Sequence, residues 1–352
     1  IFTYSIEIGI LIGLVFLTVG IFLGDKISYL LGADNVTFKM TSIYLKTIMT
    51  FAPFFILNNI FLAFVRNDGD PKLSMTGMLL GSFSNIVLDY VFIFPLGMGM
   101  FGAAFATGLA PVISIGVMSV HLLKKRNQFH LKKEKLNIHK VVELCGTGAS
   151  SFITEISSGI VLIVFNIVIL GLRGNTGVAA YGVVANLALV VIAIFTGVAQ
   201  GVQPLVSKSY GSKNKEQLYY ILRYSMILSV VIAVFVYIVV FFSADKLVSF
   251  FNKEGNRELS ALAVNGLHIY FTGFLFAGIN IISSVFFSSM EHSKTGFIIS
   301  ITRGFVAVIP AVWLLSHIFG MTGVWMSFPI AEMIALSSVI YFMHNYKKLF
   351  RN

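Results

Sequence analysis

Gly99-Met100-Phe101-Gly102 and Gly320-Met321-Thr322-Gly323 lie 221 residues apart, and the same spacing joins Asn59 to Asn280. This register runs without a gap from Phe55 and Phe276 to Ile113 and Ile334, and a slip of one residue connects it to Asp25-Lys26 and Asp245-Lys246. Self-similarity on that scale marks one ancestral multi-helix unit copied in tandem.

Outward from the repeat, the solvent of the chain is lipid. Hydrophobic residues make up 57% of 352 positions, charged residues only 11%, and the mean hydropathy is +0.89. Soluble domains do not have this composition. Ten apolar runs, about 3–23, 41–65, 73–96, 100–123, 141–170, 178–204, 218–242, 261–289, 295–316 and 322–345, are each long enough to cross a hydrocarbon core of roughly 30 Å as a helix. None shows the ten-residue alternation of a spanning barrel strand. The fold class is therefore all-α, a polytopic membrane protein of two pseudo-symmetric bundles.

A net charge of +10 would suggest nucleic acid for a soluble protein. Here it reports orientation instead. Alternate loops and helix ends hold Arg66, Lys72, Lys124, Lys125, Arg126, Lys132, Lys133, Lys135, Lys140, Lys208, Lys213, Lys215, Arg223, Lys294, Lys347, Lys348 and Arg351, 17 in all. The opposite loops hold six: Lys26, Lys39, Arg173, Lys246, Lys253 and Arg257. The richer set is expected in the cytoplasm, which puts the C-terminus, the 124–140 loop and, with ten spans, residue 1 on the cytoplasmic side of a cell membrane. Cys145 is the sole cysteine, so neither a disulfide framework nor a cysteine zinc site is expected.

Residues 1–123 read as one lobe, 124–139 as a charged cytoplasmic linker and 140–352 as the second lobe. Residue 1 aligns with residue 221, while the second copy begins near Lys140, so about 80 residues with two helices have no partner in the first copy. The chain accordingly reads as the later portion of a twelve-helix parent. It opens on Ile, and its first residues have no signal-peptide pattern.

Acids inside the spans are the informative residues, because a carboxylate at membrane depth costs on the order of 3 kcal/mol unless paired, hydrated or protonated. Glu7, Asp89, Glu155 and Glu332 qualify. Asn85 stands one turn before Asp89, and Thr107 on the next helix offers a hydroxyl. The three are hard oxygen ligands for a small cation, and Asp89 alone can load a proton. They align with Val306, Pro310 and Phe328 in the second copy, so the shared fold does not require them. A hydrogen-bonded helix contact is the plainer alternative.

Glu155, within Ser-Phe-Ile-Thr-Glu-Ile-Ser-Ser-Gly, lines either a central cavity or a hydrogen bond inside its bundle. Asn186 and Gln203 join it as candidates for a substrate-cavity wall. Glu332 follows Pro329, where it suits a kink as well as transport. Glu7 is expected at the headgroups. Asn59 and Asn280, present in both copies, suit packing before substrate, and Arg303 reads as a helix-end cap or a pair across the lobes. No two histidines stand at metal-ligand spacing. Phosphate loops, a nucleophile elbow and HExxH are absent, so no enzyme is indicated.

Three stretches resemble one family, the multidrug and toxic compound extrusion (MATE) transporters. Gly197-Val-Ala-Gln-Gly-Val-Gln-Pro-Leu-Val-Ser-Lys-Ser-Tyr-Gly-Ser-Lys213 is similar to the family signature at the end of its eighth helix. Val65-Arg-Asn-Asp-Gly-Asp-Pro-Lys72 resembles its Arg-x-x-Gly-x-Pro-Lys loop, and Gly99-Met-Phe-Gly-Ala-Ala-Phe-Ala-Thr107 the start of its sixth helix. Similarity covers essentially all 352 residues, beginning at the family's third helix.

The resemblance implies two six-helix lobes and antiport of organic cations or drugs against H+ or Na+ by rocking alternating access. It places the family's cation site on Asn85, Asp89 and Thr107, with any bound metal limited to Na+ at Asp89. The family pattern also needs an acid on the first helix, which this chain lacks, so the ion site is expected to be incomplete. Some members carry acids on the seventh and tenth helices; Glu155 fits the first, but residues 259–290 contain no acid, so an ion site in the second lobe is not expected. No cofactor is implied; the partners are small amphipathic cations and membrane lipid, and the protein is expected to be a monomer. A lipid-linked oligosaccharide flippase of related fold is the alternative, although its cavity should be strongly cationic. A membrane-embedded protein outside transport is the other.

Overall fold

The computed structural model describes residues 1–31, 33, 37–132, 137–253 and 255–346. Lys133, Lys135, Lys347, Lys348 and Arg351 of the charge bias lie outside these residues, and the Thr154 side chain is likewise not described. Every described element is helical, and the chain divides into two compact units, Ile1–Val142 and Glu143–Asn352.

The first unit holds α1 (Phe2–Leu30), α2 (Phe38–Thr50), α3 (Ala52–Asn67), α4 (Pro71–Ile93) and α5 (Gly99–Leu123). The second holds α6 (Ile138–Gly211), whose first turn precedes the boundary, then α7 (Lys215–Phe251), α8 (Arg257–Tyr270) and α9 (Phe274–Ser289). It closes with α10 (Ser293–Ile301), α11 (Val308–Phe319) and α12 (Met321–Asn345).

Seven apolar helical stretches are long enough to span, or eight with the bent pair α2 and α3 taken as one. Two of these stretches hold two crossings each. The apolar portion of α6 is 61 residues, roughly 90 Å if straight, too long for a single crossing of a core of about 30 Å. It breaks at Gly174, with φ 58° and ψ −152°, a conformation that glycine adopts without steric penalty. The stretch Ser293–Asn345 turns at Gly320, also at φ 58°. Divided at these two glycines, the stretches accommodate the ten apolar runs of the sequence.

The run at 41–65 is not one straight helix. Pro53 has no N–H to return to the Met49 carbonyl and its ring crowds that carbonyl, so α2 stops at Thr50 and α3 restarts at Ala52 with a 48° bend. A three-residue 3₁₀ turn at Phe271–Gly273 likewise divides α8 from α9. In the run at 295–316, α10 and α11 are joined by a π turn at Thr302–Val306, whereas its counterpart α4 is continuous.

The repeat now has a physical reading. Shifting α2 through α5 by 221 residues lands on α8, on α9, on α10 with α11, and on α12, with ends matching within a few residues. Gly99 and Gly320 occupy the same left-handed turn, at φ 55° and 58°. Gly102 and Gly323 then bring α5 and α12 into contact with the backbone of the preceding helix, at Phe92 and Leu315. A Cβ on Gly323 would overlap the Leu315 carbonyl, whereas on Gly102 it would meet Phe92 at 3.0 Å. Gly323→Ala must push α12 away from α11 and is expected to cost about 3 kcal/mol, read as a lower melting temperature and yield of the purified protein. Gly102→Ala should lose less, and a Gly323→Ala protein melting like wild type would contradict the packing.

The second unit has a dry core in which Phe165, Phe195, Phe271, Phe274 and Trp325 are buried. Tyr270 stacks on Phe328 at 4.3 Å between ring centroids.

Candidate functional site

In the first unit, Asn85 and Asp89 stand one turn apart on α4, and Thr107 on α5 lies within reach of Asn85. The Asn85 amide reaches the Thr107 hydroxyl at 3.4 Å, while that hydroxyl donates to the Ala103 carbonyl at 2.9 Å. Because the Thr107 proton is committed to its own helix, its oxygen is left as an acceptor. Asp89 is half-buried, and its Oδ1 is fully buried with no hydrogen-bond partner. A buried carboxylate oxygen without a donor is costly and needs an explanation. Asn58 Oδ1 on α3 of the same unit is a second buried acceptor without a partner. Oxygen atoms of this kind are chemically suited to a proton or a small hard cation.

The second unit handles its acid differently. Glu332 on α12 is 2% exposed, and its carboxylate accepts from Arg303 Nη2 at 2.7 Å and Nε at 3.2 Å. Asn280 Nδ2 from α9 donates to the same carboxylate at 2.7 Å and to the Glu332 backbone carbonyl at 2.9 Å. Arg303 sits in the π turn, a local widening that frequently marks functional positions. Two expectations are corrected here: Arg303 neither caps a helix end nor needs the other lobe, because its partner is Glu332 within its own unit. Pairing answers the desolvation of both charges, and Glu332 is anchored by three donors in addition to its place beside the Pro329 kink.

Asn59 and Asn280 share a repeat position but not a role. Asn280 is fully buried on Glu332, whereas Asn59 is exposed and donates to the Phe55 carbonyl of its own helix at 3.0 Å. Pro111 stands where the second copy has Glu332, so the acceptor for Asn59 is missing.

Glu155 on α6 is exposed in its unit, as is Asn186, whose amide donates to the Gly182 carbonyl at 2.8 Å. Gln203 is half-buried. Glu155 and Asn186 are not joined by a hydrogen bond, the Asn186 amide being spent on Gly182. Glu7 is exposed on α1. Among the described residues, no three of His, Cys, Asp and Glu are grouped to hold a metal ion.

A third group escaped the reading of spans, because it lies at a helix end. His121, 2% exposed at the end of α5, places Nε2 2.9 Å from Asp68 Oδ2. The signal was present in the loop Arg-Asn-Asp-Gly-Asp-Pro-Lys, whose two acids invite a partner.

Fold and buried charges together define a multi-pass membrane protein with two repeat-related helical units and acids kept at membrane depth. The MatE family model matches residues 1–91 and 151–314, and the chain belongs to that family. The multidrug export protein MepA of Staphylococcus saprophyticus is 29% identical over 341 residues, covering 96% of this chain and 74% of the relative. MepA of Staphylococcus aureus is 30% identical over 342 residues with the same coverage. Among solved structures, an outward-facing multidrug resistance MATE family transporter superposes with TM-score 0.89 at 22% identity, over 99% of this chain and 78% of that one. A MOP superfamily transporter from Pyrococcus furiosus gives 0.91 at 21% identity, over 100% and 79%.

Proposed function

We propose that the protein is a secondary active multidrug exporter that moves organic cations and amphipathic drugs out of the cell against an inward flow of H+ or Na+. One contrast carries the coupling assignment. The second unit neutralises its buried acid with its own Arg303, while Asp89 of the first unit keeps a buried oxygen without a donor, one helical turn from Asn85. An acid lacking an internal cation is the one able to take an external one, and the energy of that capture biases a rocking equilibrium. The export reading is supported by the relatives named as multidrug export proteins. The protein is proposed to act as a monomer in the cell membrane with its C-terminus in the cytoplasm.

Glu155 is assigned to the substrate side, with Asn186 and Gln203 as polar company in a largely apolar wall. A carboxylate in a partly dry cavity attracts a cation by on the order of 4 kcal/mol at contact. Glu155→Gln should therefore cost a permanently charged cation most of its export and leave a neutral drug of similar size nearly unaffected. Resistance profiles in cells making equal amounts of both proteins test this. Equal losses for the two drugs would move Glu155 to ion coupling, and no loss would remove it from the site.

A further inference from the structure

The loop between α3 and α4, the end of α5 and the first residues of the linker enclose a cavity of about 250 Å³ that spans and drug sites leave unexplained. Lys72, Lys124 and Arg126 line it, with Thr76, His121 and Asp70. Asp70 caps α4, its Oδ1 accepting from Leu73 N at 3.1 Å, and its Oδ2 lies 3.9 Å from Arg126. Three cations against two carboxylates, Asp70 in the lining and Asp68 beneath it, leave the cavity positive.

The floor is built rather than incidental. His121 Nε2 sits 2.9 Å from Asp68 Oδ2, and since an ionised carboxylate only accepts, Nε2 carries a proton. Its Nδ1 is buried without a hydrogen-bond partner, 3.6 Å from Asp70 Oδ2. The linker is folded onto this floor: Gln128 N donates to Asp68 Oδ2 at 2.9 Å, and the Phe129 ring lies over His121 at 6.0 Å and against Phe2 at 4.6 Å. That contact holds Arg126 at the rim.

We infer that this cavity is a phosphate-binding site, sized for a headgroup rather than a drug, in which Lys72, Lys124 and Arg126 hold the anion above His121. Lys72, Lys124 and Arg126, clustered around one cavity, favour that ligand. The phosphate can be the headgroup of an anionic phospholipid or a free anion. The inference stands independently of the export reading.

The test is thermal melting of the purified full gene product in neutral detergent, titrated with phosphatidylglycerol, phosphatidylcholine or sodium phosphate at matched ionic strength. Phosphatidylglycerol should stabilise wild type and phosphatidylcholine should not. The Lys72→Gln/Lys124→Gln protein should need roughly 30-fold more phosphatidylglycerol for half the effect, the combined weight of two lysines at a charged surface. Arg223→Gln, an exposed cation two turns into α7, should behave as wild type. Stabilisation by phosphatidylglycerol alone identifies the lipid headgroup, and equal stabilisation by inorganic phosphate identifies a free anion. If neither ligand stabilises, or the double variant responds like wild type, the site is overturned; Lys124→Gln alone provides the same comparison should the double variant not fold.

Discussion

Asp89→Asn is expected to drop drug resistance to the background of cells lacking the transporter, with the protein accumulating at normal levels. The substitution keeps the volume and polarity of the side chain and removes only its charge and its proton. Since Asp89 Oδ1 has no donor to lose, the fold gives up little; an amide even relieves the cost of holding a carboxylate at that depth. The coupling ion, in contrast, loses an attraction on the order of 4 kcal/mol, about a thousandfold in affinity. Thr107→Val should be milder, because it removes one neutral oxygen and leaves the charge. Unchanged resistance at normal protein levels would exclude Asp89 from coupling.

The second large effect lies in the other unit and runs the opposite way, destroying stability before transport. Glu332→Ala leaves the Arg303 guanidinium, 13% exposed, facing a void together with the Asn280 amide. Breaking one side of a buried pair typically costs about 3–5 kcal/mol. The expected result is a steep loss of melting temperature and yield. Replacing both partners, as Arg303→Met with Glu332→Leu, removes the stranded charge and should recover most of the loss. The recovered protein should also export drugs, because the pair acts as an internal lock and not as the ion site. A Glu332→Ala protein that melts like wild type, or a double variant no better than the single, would contradict the pairing. Loss of export in a well-folded double variant would instead move some of the coupling onto Glu332.

Much of this fold was legible because its strongest signals are one-dimensional. Run length in lipid and a repeated Gly-Met-x-Gly survive without knowledge of packing, and the latter proved to be one left-handed turn followed by one close helix contact, made twice. Asn85 and Asp89 could be placed on one face by helical spacing alone. The breaks at Phe51 and Gly174 were not visible as run length, since an apolar run looks the same whether the helix within it is straight or bent; Pro53 is the local signal for the first of them, which the reading of 41–65 as one run passed over. Arg303, Glu332 and Asn280 were each noticed singly. Their meeting depends on three helices separated by 52 and 29 residues, and no local pattern encodes that. The repeat was misleading at Asn59, where an identical residue lost its partner because Pro111 replaced the acid.

The central claim is that an ion gradient drives drug export, and it is met most directly in membrane vesicles of inverted orientation holding the full gene product. Uptake of a labelled permanent cation should begin when an H+ or Na+ gradient is imposed, stop when an ionophore collapses it, and be absent with Asp89→Asn. Uptake that continues without any gradient, or that ignores both ions, would contradict the account.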